Sequence, residues 1–252
     1  MFRRRRLEFT DEWRALLQQQ WFHWRLLDDD ERALVENAAV ELLQHTGWEA
    51  ARGFELTDEM RMLIAAQAGL LTIGLDDPDP YYRVGPVIVY PTGVVRTGER
   101  GGPVDGVATD EPLHILGEAH YRGPMIIAFD TAVHEARHPR IGQNVVYHEF
   151  AHQLDMRDGI IDGTPPLPDD HAIQRWIEVC TPRYEAVLEG TDDGLLDEYA
   201  GEDAAEFFAV ATEAFFNRPK AMRQQDPELY EVLDGYYRQD PASREDRSLK
   251  PR

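Results

Sequence analysis

Val145-Val146-Tyr147-His148-Glu149-Phe150-Ala151-His152-Gln153-Leu154 reads as one helix carrying two kinds of chemistry. Val145, Val146, Phe150, Ala151 and Leu154 supply the apolar faces of a buried segment. His148 and His152 stand four residues apart and project from one face, so their ring nitrogens can converge on a single metal ion. Glu149 lies beside His148, where its carboxylate can take a proton from a metal-activated water without binding the ion itself. The plainer alternative is a helix that happens to carry two satisfied histidines. Against it, a charged triplet in a core helix is costly without a compensating ligand.

The surrounding chain has 252 residues, 42% of them hydrophobic, which is enough for one large domain or two small ones with real cores. Asp and Glu number 47 against 26 Lys and Arg, a net charge of -21. That charge opposes attachment to nucleic acid or to an anionic membrane surface, and neither is an expected partner. Cys180 is the single cysteine, so an intrachain disulfide and a multi-cysteine metal site are both excluded, and a reducing compartment fits. Any metal here must use His and carboxylates. Met1 to Phe9 has the basic start of an export signal, but Glu8, Asp11 and Glu12 interrupt the apolar run that should follow, and the arginines read as a solvated tail. No apolar stretch approaches the roughly 20 residues that cross a bilayer. The expected location is cytoplasmic.

Residues 8–74 carry helical periodicity through Trp13, Leu16, Leu17 and Trp21, then Leu34, Ala38, Val40, Leu42 and Leu43, with Thr57 placed to cap a third helix. His23 and His45 lack a partner at ligand spacing and read as ordinary helix residues. Asp76-Asp77-Pro78-Asp79-Pro80 breaks this pattern, and Val84, Val87, Ile88, Val89, Val94 and Val95 then read as strands, with Pro91-Thr92-Gly93 as a tight turn. Leu113–Ala119 and Pro124–Phe129 are two further short apolar runs, so a small mixed or antiparallel sheet is expected. The run ending in Gly117, Glu118 and Ala119 can serve as an edge strand that holds a substrate backbone extended, with Gly117 allowing close approach. A core strand with a glycine bulge is the alternative. His114 and His120 stand alone. His134 and His138 lack an intervening glutamate and precede Pro139, so they read as a loop or helix end. Helices follow at His171–Val187, Glu202–Phe216 and Pro227–Arg238. The chain thus divides into an N-terminal helical region (1–75), a core (76–240) and a polar tail (241–252) expected to fray. The fold class is α+β, mostly helical with a small mixed sheet.

Two histidines leave zinc short of the three protein ligands usual in catalytic sites. Asp158 lies ten residues beyond His148, a spacing that some metallopeptidases use, but they turn the chain with a glycine where Asp155 stands here. Glu206 is the better candidate, because it sits in a helix otherwise filled with Phe and Ala, where a carboxylate drawn inward needs a cation. Glu213, two turns on, can accept the free N–H of a ligand histidine, and Asp155 is a rival for that role.

His148-Glu149-Phe150-Ala151-His152-Gln153-Leu154-Asp155, Gly117-Glu118-Ala119 with Gly123-Pro124, and Ala205-Glu206-Phe207-Phe208-Ala209-Val210 with Glu213 resemble the Mlc titration factor A (MtfA) family over most of residues 80–240. The last segment also resembles the catalytic core of the lethal-factor toxin metallopeptidase. The resemblance implies a gluzincin-type zinc peptidase in which one Zn2+ is held by His148, His152 and Glu206, with Glu149 as the base. Tyr199, seven residues before Glu206, matches a tyrosine of the toxin core that donates a hydrogen bond to the developing oxyanion. The resemblance further implies aminopeptidase-like action on a peptide or protein substrate, and control of glucose uptake through binding of the Mlc transcriptional repressor. Position 210 departs from gluzincins outside this family, many of which carry an acidic residue there, and residues 1–75 carry no matching motif. Two other readings remain. One is a regulator that sequesters a protein partner and keeps the metal site as structure; the other is a metal-dependent hydrolase of non-peptide substrates.

Overall fold

The computed structural model describes residues 7–51, 53–82, 84–92 and 123–248. Its helices begin where the chain offers a short polar side chain to the free N–H groups of a first turn. Thr10 caps α1 (Asp11–Gln20), accepting from the Trp13 N–H at 3.3 Å. Asp28 and Glu31 exchange side-chain and backbone hydrogen bonds in a capping box at α2 (Asp29–His45), and Thr57 caps α3 (Asp58–Leu70). Residues Met62 to Leu70 of α3 are all buried, so this helix passes through the core rather than over it.

Three short strands, β1 (Trp48–Ala50), β2 (Val87–Tyr90) and β3 (Met125–Ala128), form a sheet in that order. Both pairings are parallel, with Val87 opposite Trp48 on one side and Met125 on the other. The fold class is the mostly helical α+β expected, with one correction. Among the described residues the sheet is parallel, where the Gly and Pro punctuation predicts a mixed or antiparallel one. β1, a strand of three residues inside a span read as helical, supplies an edge that no local pattern announces, and β3 runs in the same sense as β2 on its other side. The candidate edge strand Leu113–Ala119, with His114 and His120, lies outside the described residues, as does Gly93 of the expected turn.

Helices α4 (Phe129–Arg137) and α5 (Val145–Asp155) follow β3, then α6 (Asp170–Glu189) and α7 (Ala204–Asn217), of which α7 packs on α5. Then come α8 (Pro219–Gln225), α9 (Pro227–Tyr237) and α10 (Pro241–Ser248). One apolar cluster runs from Trp13 to Ala242. Its centre is aromatic: Phe208, Phe215 and Phe216 of α7 pack against Tyr237, and each buried phenylalanine contributes about 1.5–3 kcal/mol over its exposed state. Residues 241–248, read from their polarity as a fraying tail, are instead the helix α10. Its Arg244 is buried, with Nε donating to Glu31 Oε1 at 2.8 Å and Nη2 to Gln239 Oε1 at 2.8 Å. A long-range ion pair holds what local polarity would release.

Candidate metal centre

Helix α5 is fastened at its start by side chains from three other elements. Asn144 accepts from the N–H groups of Val146 and Tyr147, both at 3.0 Å, and its own amide donates to Gln67 Oε1 at 3.0 Å. The Val145 N–H donates to Glu135 Oε2 at 2.6 Å, and the Asn144 N–H to Glu213 Oε2. Two buried carboxylates therefore meet the positive end of this helix, where its dipole favours them. Val146, Tyr147, Phe150, Ala151 and Leu154 are fully buried. The remaining face turns His148 and His152 towards α7, and the two imidazoles lie nearly perpendicular with Nε2 atoms 3.2 Å apart.

Asp203 caps α7 by accepting from the Glu206 N–H at 2.9 Å, which sets Glu206 in the first turn opposite those imidazoles. Its carboxylate lies 2.9 Å from His148 Nε2 and 3.6 Å from His152 Nε2. One donor atom from each of the three residues falls within 4.8 Å of the others. Tyr199, held in a short turn at Glu198–Gly201 by Asp197, donates its hydroxyl to Glu206 Oε1 at 3.2 Å. Glu213 Oε1 stands 2.7 Å from His148 Nδ1. An ionised carboxylate only accepts, so this contact puts a ring proton on Nδ1, and in the neutral ring the Nε2 lone pair is the one that faces the cluster.

That donor set suits a divalent cation. Two imidazole nitrogens and a carboxylate oxygen facing one another at these distances repel unless positive charge sits among them, and Glu206 Oε2 is buried against His148 Nε2. Without an ion, protons take its place. Burial by itself would lower the His148 pKa, but Glu206 and Glu213 outweigh it and raise it well above the ordinary value. Burial would raise Glu206, yet its hydrogen bonds to His148 and His152 hold it well below the carboxylate range. Burial pushes Glu149 upward against the two imidazoles, giving it a stronger hold on a proton than an exposed glutamate has.

The structure brings together His148, His152, Glu206, Glu149, Tyr199 and Glu213. Asp158 is not among the residues that meet there. Asp158 is exposed and accepts from the Ile160 N–H at 2.9 Å, the work of a turn residue. Asp155 is fully buried and accepts from the Gly163 N–H at 2.9 Å, and burial pushes its pKa up to about 7. His134 and His138 stack at 4.6 Å, with His138 Nδ1 2.7 Å from the His134 carbonyl oxygen, at the end of α4. Gly117, Glu118 and Ala119 lie outside the described residues. Sequence reasoning passed over Asn144, Glu135 and Gln67. Asn144 directly precedes an apolar helix and carried a cap signal; Glu135 and Gln67 act across the fold and carried none.

A metal-binding helix whose histidine is oriented by a carboxylate from a second helix is common to many hydrolases, so the decisive observation is the extent of a family match. The family model described as "Glucose-regulated metallo-peptidase M90" matches residues 1–238. The chain belongs to the M90 metallopeptidase family. Among similar proteins, the Synechocystis sp. protein "Uncharacterized protein slr2042" is 34% identical over 233 residues, covering 91% of this chain and 84% of its own. "Mlc titration factor A" of Pectobacterium atrosepticum is 30% identical over 227 residues, covering 86% and 83%, and that of Serratia proteamaculans is 28% identical over 227 residues, covering 86% and 84%. As an M90 member the chain is a metallopeptidase. Among the described residues, no helix is long and apolar enough to cross a membrane.

Proposed function

We propose that this M90 metallopeptidase is a zinc-dependent peptidase of the gluzincin type, with His148, His152 and Glu206 as the protein ligands and aminopeptidase-like action on a peptide or protein in the cytoplasm. The observation that carries the reading is the meeting of the His148 and His152 Nε2 atoms with the Glu206 carboxylate while Glu213 occupies His148 Nδ1. Bound zinc supplies Lewis acidity, which makes water a nucleophile near neutral pH and polarises a carbonyl.

The rest is the work of the chain. Glu149, adjacent to His148 and raised in pKa by burial, takes the proton from the attacking water and returns it to the leaving amine. Tyr199 has its hydroxyl at the ligand cluster, where it can donate to the oxygen on which negative charge develops. Glu213 fixes the tautomer and the ring plane of His148. Gly117, Glu118 and Ala119 are assigned to the substrate backbone on the sequence pattern alone. Glu149→Gln is expected to keep zinc at wild-type stoichiometry and to lose peptide cleavage by at least about 100-fold, the scale of general-base catalysis. Elemental analysis beside a peptide-release assay reads both, and cleavage at the wild-type rate would remove Glu149 from the role.

A second reading rests on the printed name of several relatives, "Mlc titration factor A". It makes the chain a regulator of sugar uptake that binds an Mlc-like transcriptional repressor, with or without catalysis. Retention of such a repressor by Glu149→Gln as firmly as by the wild type would support binding as a function separate from cleavage.

A further inference from the structure

One glycine joins the two halves of the candidate centre. Gly163 is buried, in the loop between α5 and α6, with φ at +75°. Its N–H donates to Asp155, three residues past His152 on α5. Its carbonyl accepts from Trp176 Nε1 of α6 at 3.2 Å. Its Cα lies against the backbone of Ala204, two residues before Glu206 on α7: a Cβ built there would stand 2.0 Å from the Ala204 carbonyl oxygen and 2.4 Å from its carbon. The peptide is thus gripped by the histidine helix, wedged against the glutamate helix and fastened from behind by a tryptophan whose ring packs edge-on to Phe208.

The magnitudes give this arrangement consequences for metal binding. Real Cβ contacts essentially never fall below 3.0 Å, so any side chain at 163 must push α7 or the loop by about 1 Å or more. The obstacle is backbone, which cannot swing aside as the tip of a flexible side chain can. A metal site tolerates about 0.2 Å in each ligand distance. The left-handed φ adds a second requirement for glycine. Asp155 is fully buried and accepts from this peptide's N–H, so it serves as an anchor for the spacing.

We infer that the Gly163 peptide, gripped by Asp155 and Trp176, is the spacer that sets the separation between His152 and Glu206, which makes these three positioning residues for the metal. The inference rests on the zinc reading above. Its test is zinc affinity, measured on purified full-length protein by competition with a chromogenic chelator, together with the visible spectrum of the Co2+-substituted protein. Thermal unfolding of the metal-free protein serves as the separate measure of folding.

Gly163→Ala is expected to bind zinc about 10–100-fold more weakly and to alter the cobalt bands. Asp155→Ala is expected to do the same in the lower part of that range. Asp155→Asn, which keeps an oxygen acceptor for the Gly163 N–H, is expected to stay within about threefold of wild type, a rescue that general destabilisation would not produce. Trp176→Phe gives up one hydrogen bond to the same peptide and keeps a ring in the core, so it carries the test if Gly163→Ala does not fold; it too is expected to weaken zinc binding. Folded variants with wild-type zinc affinity and unchanged cobalt bands would overturn the spacer, as would Asp155→Asn binding as weakly as Asp155→Ala. Wild-type protein that fails to take up zinc at one per chain would overturn the zinc reading itself, a result distinguishable from the others because it precedes any substitution.

Discussion

Glu213 uses its two oxygens for two purposes: one meets His148 Nδ1, the other takes the N–H of Asn144 at the start of the same helix. Glu213→Gln keeps the size but loses the charge that fixes the imidazole tautomer, and zinc affinity is expected to fall about 10–100-fold. A competition titration giving the wild-type constant would remove the orienting role. His23 makes a separate point about burial. Its Nε2 lies 2.9 Å from the Phe216 carbonyl oxygen, and burial pushes its pKa down to about 4, with the Phe216 hydrogen bond opposing and Arg244 assisting. The folded protein keeps the ring neutral while the unfolded chain protonates it near 6.5. The contribution to stability is therefore fully present above about pH 6.5 and is lost as the pH falls towards about 4, at up to about 1.4 kcal/mol per pH unit. Urea unfolding between pH 7 and 4 should show this slope flattened in His23→Gln; parallel curves would assign the acid sensitivity to other groups.

Among the elements, α5 shows how a costly helix is held. Its caps come from Asn144, Glu135 and Glu213, and Tyr147 accepts from Trp21 Nε1 at 3.1 Å, which ties it to the N-terminal helices. Asn144→Ala is expected to cost about 0.5–2 kcal/mol for the cap, and more if Gln67 Oε1 is left without a donor. A change in the urea midpoint without a change in slope would register it; no change would mean the two carboxylates suffice to cap the helix. The helix itself was legible because its pattern of Val, Phe, Ala and Leu repeats within ten residues. Helix α7 was legible for the same reason. The strand β1 was not, because three residues bear no period, and Trp48-Glu49-Ala50 becomes a strand only by pairing with Val87, Ile88 and Val89.

For the molecule as a whole, the proposed ligands come from α5 and α7, so metal binding there would contribute to folding. With free zinc about 100-fold above the dissociation constant, stabilisation is about 2.7 kcal/mol, worth roughly 5–11 °C in Tm for a chain of this size. Chelation should lower the wild-type Tm by that amount and leave His148→Ala/His152→Ala unmoved; equal shifts in both would place the stabilising ion elsewhere. The sequence alone determined the features that depend on local spacing: the face shared by His148 and His152, the glutamate between them, the carboxylate carried by an apolar helix, and the mostly helical class. Only the tertiary structure decided the parallel sheet, the grip of Glu135 and Gln67 on α5, the anchoring of α10 through Arg244 and Glu31, and the close passage of Gly163 past Ala204. Helical periodicity and capping act over a few residues and leave their mark in composition. Contacts between residues tens to hundreds of positions apart follow from how whole elements pack, and no local stretch of sequence carries them.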